Sequence, residues 1–133
     1  MNSSLGPFQQ AVYERLSTDA NLSAKITGVF DFVPEGQAYP YVAIGQDTAT
    51  GDDTFTTVGQ QVTTTLHTWS QYKGYSEVKE IHALILQALT APLVVSGWTC
   101  LFLMVDMENV IRDPDGITRH GVIRLRFVLS QPK

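Results

Sequence analysis

The sequence has few cysteines and few basic residues, and both scarcities limit what the protein can be. Its 133 residues include one cysteine, Cys100, so no disulfide can form within the chain, and we expect an inert packed thiol. Residues 1–6 are mostly polar and lack a basic side chain, which predicts no signal peptide and folding in a reducing cytoplasm. Because 9 Lys and Arg stand against 13 Asp and Glu, the net charge is −4. This charge repels phosphate, so we expect no specific nucleic-acid binding.

Long hydrophobic runs are missing as well. The longest ones are ALIL at residues 83–86 and LFLMV at residues 101–105. Both are far shorter than the ~20 residues that a membrane-spanning helix needs, so no membrane association is expected. With 44% hydrophobic and 17% charged residues, the composition predicts a single globular domain over residues 1–133 with an apolar core.

Motifs for catalysis and metal binding are also lacking. The sequence contains no Gly-rich phosphate loop, no paired Cys or His at metal spacing and no Ser nucleophile elbow. Three histidines, His67, His82 and His120, lie on a predicted strand, helix and strand. Without a partner motif they are interpreted as surface or interface histidines. We therefore expect no enzyme activity, no cofactor and no metal site.

Apolar residues at helical spacing predict two main helices. The first begins near Pro7, and the second begins with Ser76 as its N-cap and ends before Pro92. A further helical turn around Leu22 is predicted to end at Gly28. The stripe of the second helix consists of Val78, Ile81, Ile85, Ala88 and Leu89.

Short apolar or β-branched runs predict strands at residues 29–32, 41–44 and 61–69. Residues 47–59 between two of them are rich in Gly, Asp and Thr and have little to bury, which predicts a mobile loop. Its acidic residues lack the alternating ligands of a calcium loop, so they are expected to be solvated. The order of helix, strands, helix and hairpin predicts an α+β fold.

The clearest single feature is a long C-terminal β-hairpin over residues 98–129, turned at DPDG in residues 113–116. A type I turn followed by Gly116 in the left-handed region would set Asp113 opposite Ile117. Since opposed residues share a face, that register agrees with the alternation of apolar and charged residues in both strands. It predicts the pairs Met107–Ile123, Val105–Leu125 and Leu103–Phe127 on a core face, and Asp106–Arg124 on the other face.

The second face of this hairpin mixes charges with more apolar side chains than a solvated sheet face needs. We therefore expect part of it to contact another subunit. The candidate interface residues are Phe102, Met104, Asp106, Glu108, Arg112, His120, Val122, Arg124 and Arg126.

Three stretches together resemble the tail completion or tail terminator proteins of long-tailed phages (siphoviruses), prophages and phage-like gene transfer particles. They are PYVAIG at residues 40–45, VTTTLHTWS at residues 62–70 and RDPDGITRHGV at residues 112–122. Their order and spacing also resemble the family's, over nearly the whole chain. The resemblance implies an α+β fold in which two main helices pack on one face of an antiparallel sheet, and a hexameric ring where the tail tube ends and the head attaches.

The function implied by this resemblance is structural: a virion protein of the tail or neck that caps the tail tube, stops its polymerisation and joins it to the head. The expected partners are further copies of the chain, the tail tube protein and a head-tail connector or neck protein, with DNA passing through the ring. The acidic loop with Asp47, Asp52, Asp53 and Phe55 is then expected to face the lumen or an adjoining ring. Three alternatives remain open: a neck adaptor or head-completion protein, a small enzyme with an intersubunit site that uses His67 or His120, and a monomeric binding module.

Overall fold

The structure, a computed structural model, describes residues 2–133. Its helices and strands follow in the order α1 (Leu5–Thr18), α2 (Ala20–Ser23), β1 (Val29–Phe30), β2 (Tyr41–Gly51), β3 (Thr57–Ser70), α3 (Ser76–Ala88), β4 (Val94–Val95), β5 (Trp98–Arg112) and β6 (Arg119–Pro132). Both predicted main helices, α1 and α3, and the long hairpin of β5 and β6 are therefore confirmed. Within residues 2–133, no helix is long and apolar enough to cross a membrane.

The strands form one six-stranded sheet in the order β1-β2-β3-β6-β5-β4. Neighbouring strands are antiparallel, except that the short β1 runs parallel to β2. The helices cover one face of this sheet, here called the helix face, on which Leu66 and Leu125 are fully buried. The opposite face, which carries Thr65 and Arg124, is called the open face. The α+β class is confirmed, and the sheet is mixed only at its β1 edge.

The core lies between the helices and the middle of the sheet. Phe8 of α1 packs against Phe127 of β6 with ring centroids 4.7 Å apart and an interplanar angle of 69°. Burial of such a side chain contributes roughly 1.5–3 kcal/mol, and edge-to-face geometry adds to it. The stripe predicted for α3 is buried in full, at Val78, Ile81, Ile85, Ala88 and Leu89.

The prediction of a mobile loop over residues 47–59 is wrong for most of that segment. Residues 47–51 belong to β2 and residues 57–59 to β3, so only residues 52–56 connect the two strands. Thr48 pairs with Thr63 and Thr50 with Gln61 across the ladder. Because threonine fits a pleated strand well, the threonines that made this segment look polar also extend the hairpin.

The start of α3 also differs in detail from the prediction. Ser76 is the first helical residue, Tyr75 occupies the N-cap position, and no side chain caps the helix. Glu77 in the first turn instead accepts a hydrogen bond of 2.7 Å from the hydroxyl of Ser70. The carboxylate near the helix N-terminus thus ties α3 to the end of β3.

The end of α3 is held by a residue of α1. Arg15 donates hydrogen bonds of 3.0 Å to the carbonyl of Ala88, 2.8 Å to that of Ala91 and 2.8 Å to that of Pro92. A guanidinium can satisfy several carbonyls that a helix C-terminus leaves without partners. Arg15 therefore fixes the segment between α3 and β4, which borders the outer strand β5.

Candidate functional site

The turn of the C-terminal hairpin forms at residues 113–116 as predicted, but its loop is one residue longer. The amide of Gly116, at φ 74°, donates to the carbonyl of Asp113 at 2.9 Å. One carboxylate oxygen of Asp115 accepts from the amides of Ile117 and Thr118, both at 2.8 Å. The ladder then closes between the Asp113 amide and the Thr118 carbonyl at 2.9 Å, so the predicted pairing of Asp113 with Ile117 is wrong.

A β-bulge at Asp106 compensates for the longer loop. On the turn side of the bulge, Met107 lies opposite Arg124, so the predicted pairs Met107–Ile123 and Asp106–Arg124 are wrong. A bulge sets two residues of one strand against one of the other. On the side of the bulge away from the turn, the pairing therefore returns to the predicted register. The predicted pairs Leu103–Phe127 and Val105–Leu125 are confirmed.

The bulge also changes which candidate interface residues share a face. Glu108 lies opposite the buried Ile123 and Arg112 opposite Arg119, so both belong to the helix face and not to the predicted interface face. The other candidates remain together on the open face: Phe102, Met104, Asp106, His120, Val122, Arg124 and Arg126.

Strand β5 is far more exposed than a core strand. Ile123 and Leu125 of β6 are fully buried as predicted, but Val105 and Met107 of β5 are exposed, and their assignment to the core is wrong. The reason is the position of β5: β4 pairs only with Trp98 and Thr99, so within residues 2–133 no strand flanks the rest of β5 on its outer side. Large apolar side chains are therefore exposed along its length, at Leu101, Phe102, Met104, Val105, Met107 and Ile111.

Charged residues stand among these apolar side chains on the open face. A guanidinium nitrogen of Arg126 lies 3.1 Å from a carboxylate oxygen of Asp106, the bulged residue. Arg124 lines a shallow concavity beside Asp106 and Thr65. An exposed pair of this kind contributes about 0–1 kcal/mol, so its main effect is to place charges on the surface.

Two of the three histidines form a cluster with a tryptophan on the same open face. His67 Nδ1 lies 2.8 Å from His120 Nε2, and Trp69 stacks on His120 with ring centroids 3.8 Å apart. Burial lowers the pKa of His67. Burial and then the nearby His67 lower the pKa of His120, against an opposing effect of Asp113. Both rings are half-buried, which agrees with the prediction of surface or interface histidines.

The third histidine is buried, so its interpretation as a surface or interface residue is wrong. His82 of α3 lies against β6 where Gly121 has no side chain, and its Nδ1 is 3.2 Å from a carboxylate oxygen of Glu108. Burial lowers the pKa of His82 more than Glu108 raises it. The residue links α3 to the outer hairpin.

The four residues expected in an acidic loop occupy two different places. Asp47 lies on the helix face of β2, half-buried, and its carboxylate accepts a 2.5 Å hydrogen bond from the hydroxyl of Thr64. Burial raises the pKa of Asp47 more than this hydrogen bond lowers it. The prediction that Asp47 lies in a loop is therefore wrong. Asp52, Asp53 and Phe55 are exposed in residues 52–56 at the tip of the β2–β3 hairpin.

Comparisons with known proteins identify the family of this chain. A family model described as tail completion protein gp17 matches residues 10–130. The tail completion protein gp17 of Bacillus phage SPP1 is 32% identical over 123 residues, which cover 92% of this chain and 91% of that protein. The chain belongs to the gp17 family of tail completion proteins. The resemblance of its three sequence motifs to this family is thus confirmed.

Two solved structures are similar to this tail completion protein. A chain in the virion of a native gene transfer agent particle matches with a TM-score of 0.89 and 26% identity, covering 98% of this chain and 99% of that one. The structure of bacteriophage SPP1 gp17 matches with a TM-score of 0.58 and 29% identity, covering 93% and 88%. The protein is therefore a structural component of phage-like particles.

In this gp17 family member, acidification is expected to lower the free energy of unfolding. The pKa values of His67, His82 and His120 lie below their ordinary value of 6.5 in the folded chain. Below that pH the unfolded chain binds more protons than the folded chain. The contribution of these histidines to the free energy of unfolding is therefore complete above about pH 6.5, and it is lost as the pH falls through their pKa values in the folded chain. Urea titrations at pH 7.5 and pH 5.5 measure this difference.

The matched variant for this measurement is the double substitution His67→Gln and His120→Gln. Glutamine keeps a polar side chain on the open face but does not titrate, so the loss of stability between the two pH values is expected to be smaller. His82 still titrates in this variant and accounts for the remaining dependence. An unchanged difference would show that the cluster is as easily protonated in the folded chain as in the unfolded one.

Proposed function

We propose that the chain assembles as a homo-hexameric ring that caps the last ring of the tail tube, stops tube polymerisation and offers a second surface to the head. The observation that carries this proposal is the exposure of β5. Leu101 is 62% exposed and Phe102 51% exposed, on a strand whose outer edge is free along most of its length. Proteins that stay monomeric protect such edges and seldom leave apolar patches of this kind uncovered.

The open face of the hairpin has the mixture of apolar and charged side chains that subunit contacts commonly show. Apolar side chains of Phe102, Met104 and Val122 lie among the charges of Asp106 and Arg126. Interfaces commonly combine apolar contacts with charges that fix register and partner choice. The remaining open-face candidates, His120 and Arg124, belong to the same proposed subunit contact.

The charge of the protein suits a ring through which DNA passes. The net charge is −4. Such a ring repels the phosphate backbone and does not hold it. The proposed partners are the tail tube protein on one side and the head-tail connector or neck protein on the other, first in the host cytoplasm and then in the virion.

An arginine on each face of the hairpin provides a matched test of the subunit contact. Arg124→Glu places a carboxylate beside Asp106 on the open face, and we expect subunit association to weaken roughly tenfold or more. Arg112→Glu makes the same charge change on the helix face and is expected to have little effect. Sedimentation velocity of both variants measures the ring fraction, and unchanged assembly of Arg124→Glu would contradict the proposed contact.

Particles made without this protein distinguish the proposed cap from a neck adaptor. Uncapped tails are expected to have irregular lengths in negative-stain micrographs. Tails of normal length beside unattached heads would instead support a neck adaptor or head-completion role. Co-purification gives a second readout, because a terminator binds the tail tube and an adaptor binds the portal complex.

A further inference from the structure

A groove between the end of α3 and the first half of β5 is lined almost entirely by apolar side chains. Its volume is about 450 Å³. Thr90 contributes a hydroxyl, but this group already donates to the Leu86 carbonyl at 2.9 Å. Small-molecule sites combine an apolar pocket with a few converging polar groups, and no charged side chain lines this groove. The lining therefore suits an apolar side chain of another protein better than a polar metabolite.

A fitting side chain lies at the tip of the β2–β3 hairpin. Phe55 is fully exposed, although residues on both sides of it are held by hydrogen bonds. The Asp52 amide donates to the Gly59 carbonyl at 2.8 Å, and the Thr54 amide donates to the Thr57 carbonyl at 3.0 Å. A phenyl ring presented on an ordered tip loses little conformational entropy when it binds, which is typical of an anchor residue.

The topology places this tip and the groove at the same end of the sheet but on opposite edges. Thr57 pairs with Pro132 and Thr99 with Ser130, so the first residue of β3 and the start of β5 lie at the same end of the sheet, with the tip extending beyond Thr57. Beyond Ala43, β2 has no neighbour on its outer side within residues 2–133, and the same holds for β5 beyond Thr99. The two free edges run antiparallel, because β3 and β6 lie between them.

Rotation about an axis roughly parallel to the strands therefore brings the β2 edge of one copy beside the β5 edge of the next. In that arrangement the tip of one copy and the groove of its neighbour lie at the same end of the assembled sheets. The contact uses two different surfaces, so it can be repeated around a ring until the ring closes. A self-complementary contact, in contrast, would stop at a dimer.

The charges around the two surfaces are complementary. Asp52 and Asp53 lie on the same tip, three and two residues before Phe55, and the Asp53 carboxylate accepts a hydrogen bond of 3.0 Å from the Gly59 amide. Arg15 lies at the rim of the groove, where it bonds the carbonyls of Ala91 and Pro92, two residues of the lining. Acidic groups of one copy would thus meet a guanidinium of the next, which favours this orientation.

We propose that Phe55 of each subunit inserts into the apolar groove of the adjacent subunit and that this contact closes the ring. The inference rests on the proposed ring and adds which segments meet in it. The tip then lies at the boundary between subunits, with Asp52 and Asp53 directed to the neighbour's rim and not free in the lumen.

The single native cysteine allows a direct test, because Cys100 lines the groove. In the Phe55→Cys variant, one new thiol lies at the tip, and oxidation of the assembled full-length protein is expected to link it to Cys100 of the adjacent subunit. Denaturing gels without reductant should then show a ladder of linked subunits. The link must disappear when Cys100→Ser is added, because a bond between two tip cysteines would survive that change.

Phe32→Cys is the matched control, since Phe32 is 84% exposed but lies before β2, away from the tip. Equal linkage from this position would show random collision and overturn the inference. A wild-type ring confirmed by native mass spectrometry, combined with no linkage from Phe55→Cys, would overturn the Phe55 contact and leave the ring proposal standing. If the wild-type chain forms no ring in solution or in particles, both proposals fail.

A second variant tests the contribution of the phenyl ring without any cross-link. Phe55→Asp is expected to weaken subunit association by about thirtyfold or more, the fold-change for loss of an interface anchor. Phe32→Asp should leave association unchanged, and neither change should alter the melting temperature of the free subunit. Association of Phe55→Asp equal to that of wild type would contradict the inference, and a small molecule found in the groove of purified protein would reassign its occupant.

Discussion

Replacing both Phe102 and Met104 by glutamate is expected to abolish ring formation while the subunit stays folded. Both side chains are exposed on the open face of β5, opposite Val128 and Arg126. In the free subunit the new carboxylates remain in water near Arg126, so the free energy of unfolding should change by less than about 1 kcal/mol. In the ring they would be buried against apolar groups of a neighbour, which costs several kcal/mol per charge.

Native mass spectrometry and urea titration of the same preparations measure both parts of this result. The double variant Phe32→Glu and Tyr72→Glu changes two aromatic side chains that are more exposed than Phe102 and Met104 and lie outside the hairpin. It should form rings like the wild type. If the hairpin variant also assembles normally, the open face of β5 is not a subunit contact.

Substitution of Gly121 by valine is expected to lower the free energy of unfolding by about 3 kcal/mol or to prevent folding. A Cβ at this position would overlap the ring of His82 and the Cγ1 atom of Val78, both on the face of α3 that packs against β6. Overpacking of a filled core typically costs ~1–3 kcal/mol, and the β-branched side chain adds to the overlap. The helix would have to move away from the sheet.

Gly51→Val is the matched control for this substitution. Gly51 is also a strand glycine, but nothing lies within 4 Å of a Cβ added there. A β-branched residue in an exposed strand is expected to be neutral or slightly stabilising. Equal melting temperatures for the two variants would mean that α3 does not approach β6 as closely as described.

The elements with strong periodic signals could be predicted from the sequence. The apolar stripe of α3 follows from helical spacing, and all of it is buried. The turn at residues 113–116 follows from the conformational preferences of Pro114 and Gly116. In both cases the cause lies within a few residues of the element, so local sequence is sufficient.

The errors arise where a side chain or a distant element decides the outcome. Hydrogen bonds from the hydroxyl and amide of Thr118 and from the amide of Ile117 to the Asp115 carboxylate hold a hairpin loop that is one residue longer than predicted, and they lower the pKa of that carboxyl group. The bulge at Asp106 then restores the register, although apolar and charged residues alternate without interruption over residues 105–108. His82 is buried because Gly121, far away in the sequence, leaves space for its ring.

For the candidate contact surfaces too, local sequence predicts some features, and others depend on distant elements. The excess of apolar residues on the hairpin is visible in the sequence and correctly indicates an unusual strand. Its position at the free edge of the sheet is not visible, because it depends on β4 being too short to cover β5. The groove likewise forms only when the end of α3 meets Cys100 and Leu103, and no local pattern predicts that meeting.

Cryo-electron microscopy of intact particles that carry this protein, focused on the head-proximal end of the tail, tests the central claim most directly. We expect a closed hexameric ring above the last tube ring, with the outer edge of β5 buried against the adjacent subunit in every copy. A map in which β5 faces solvent, or in which the protein does not form a closed ring at that position, would contradict it.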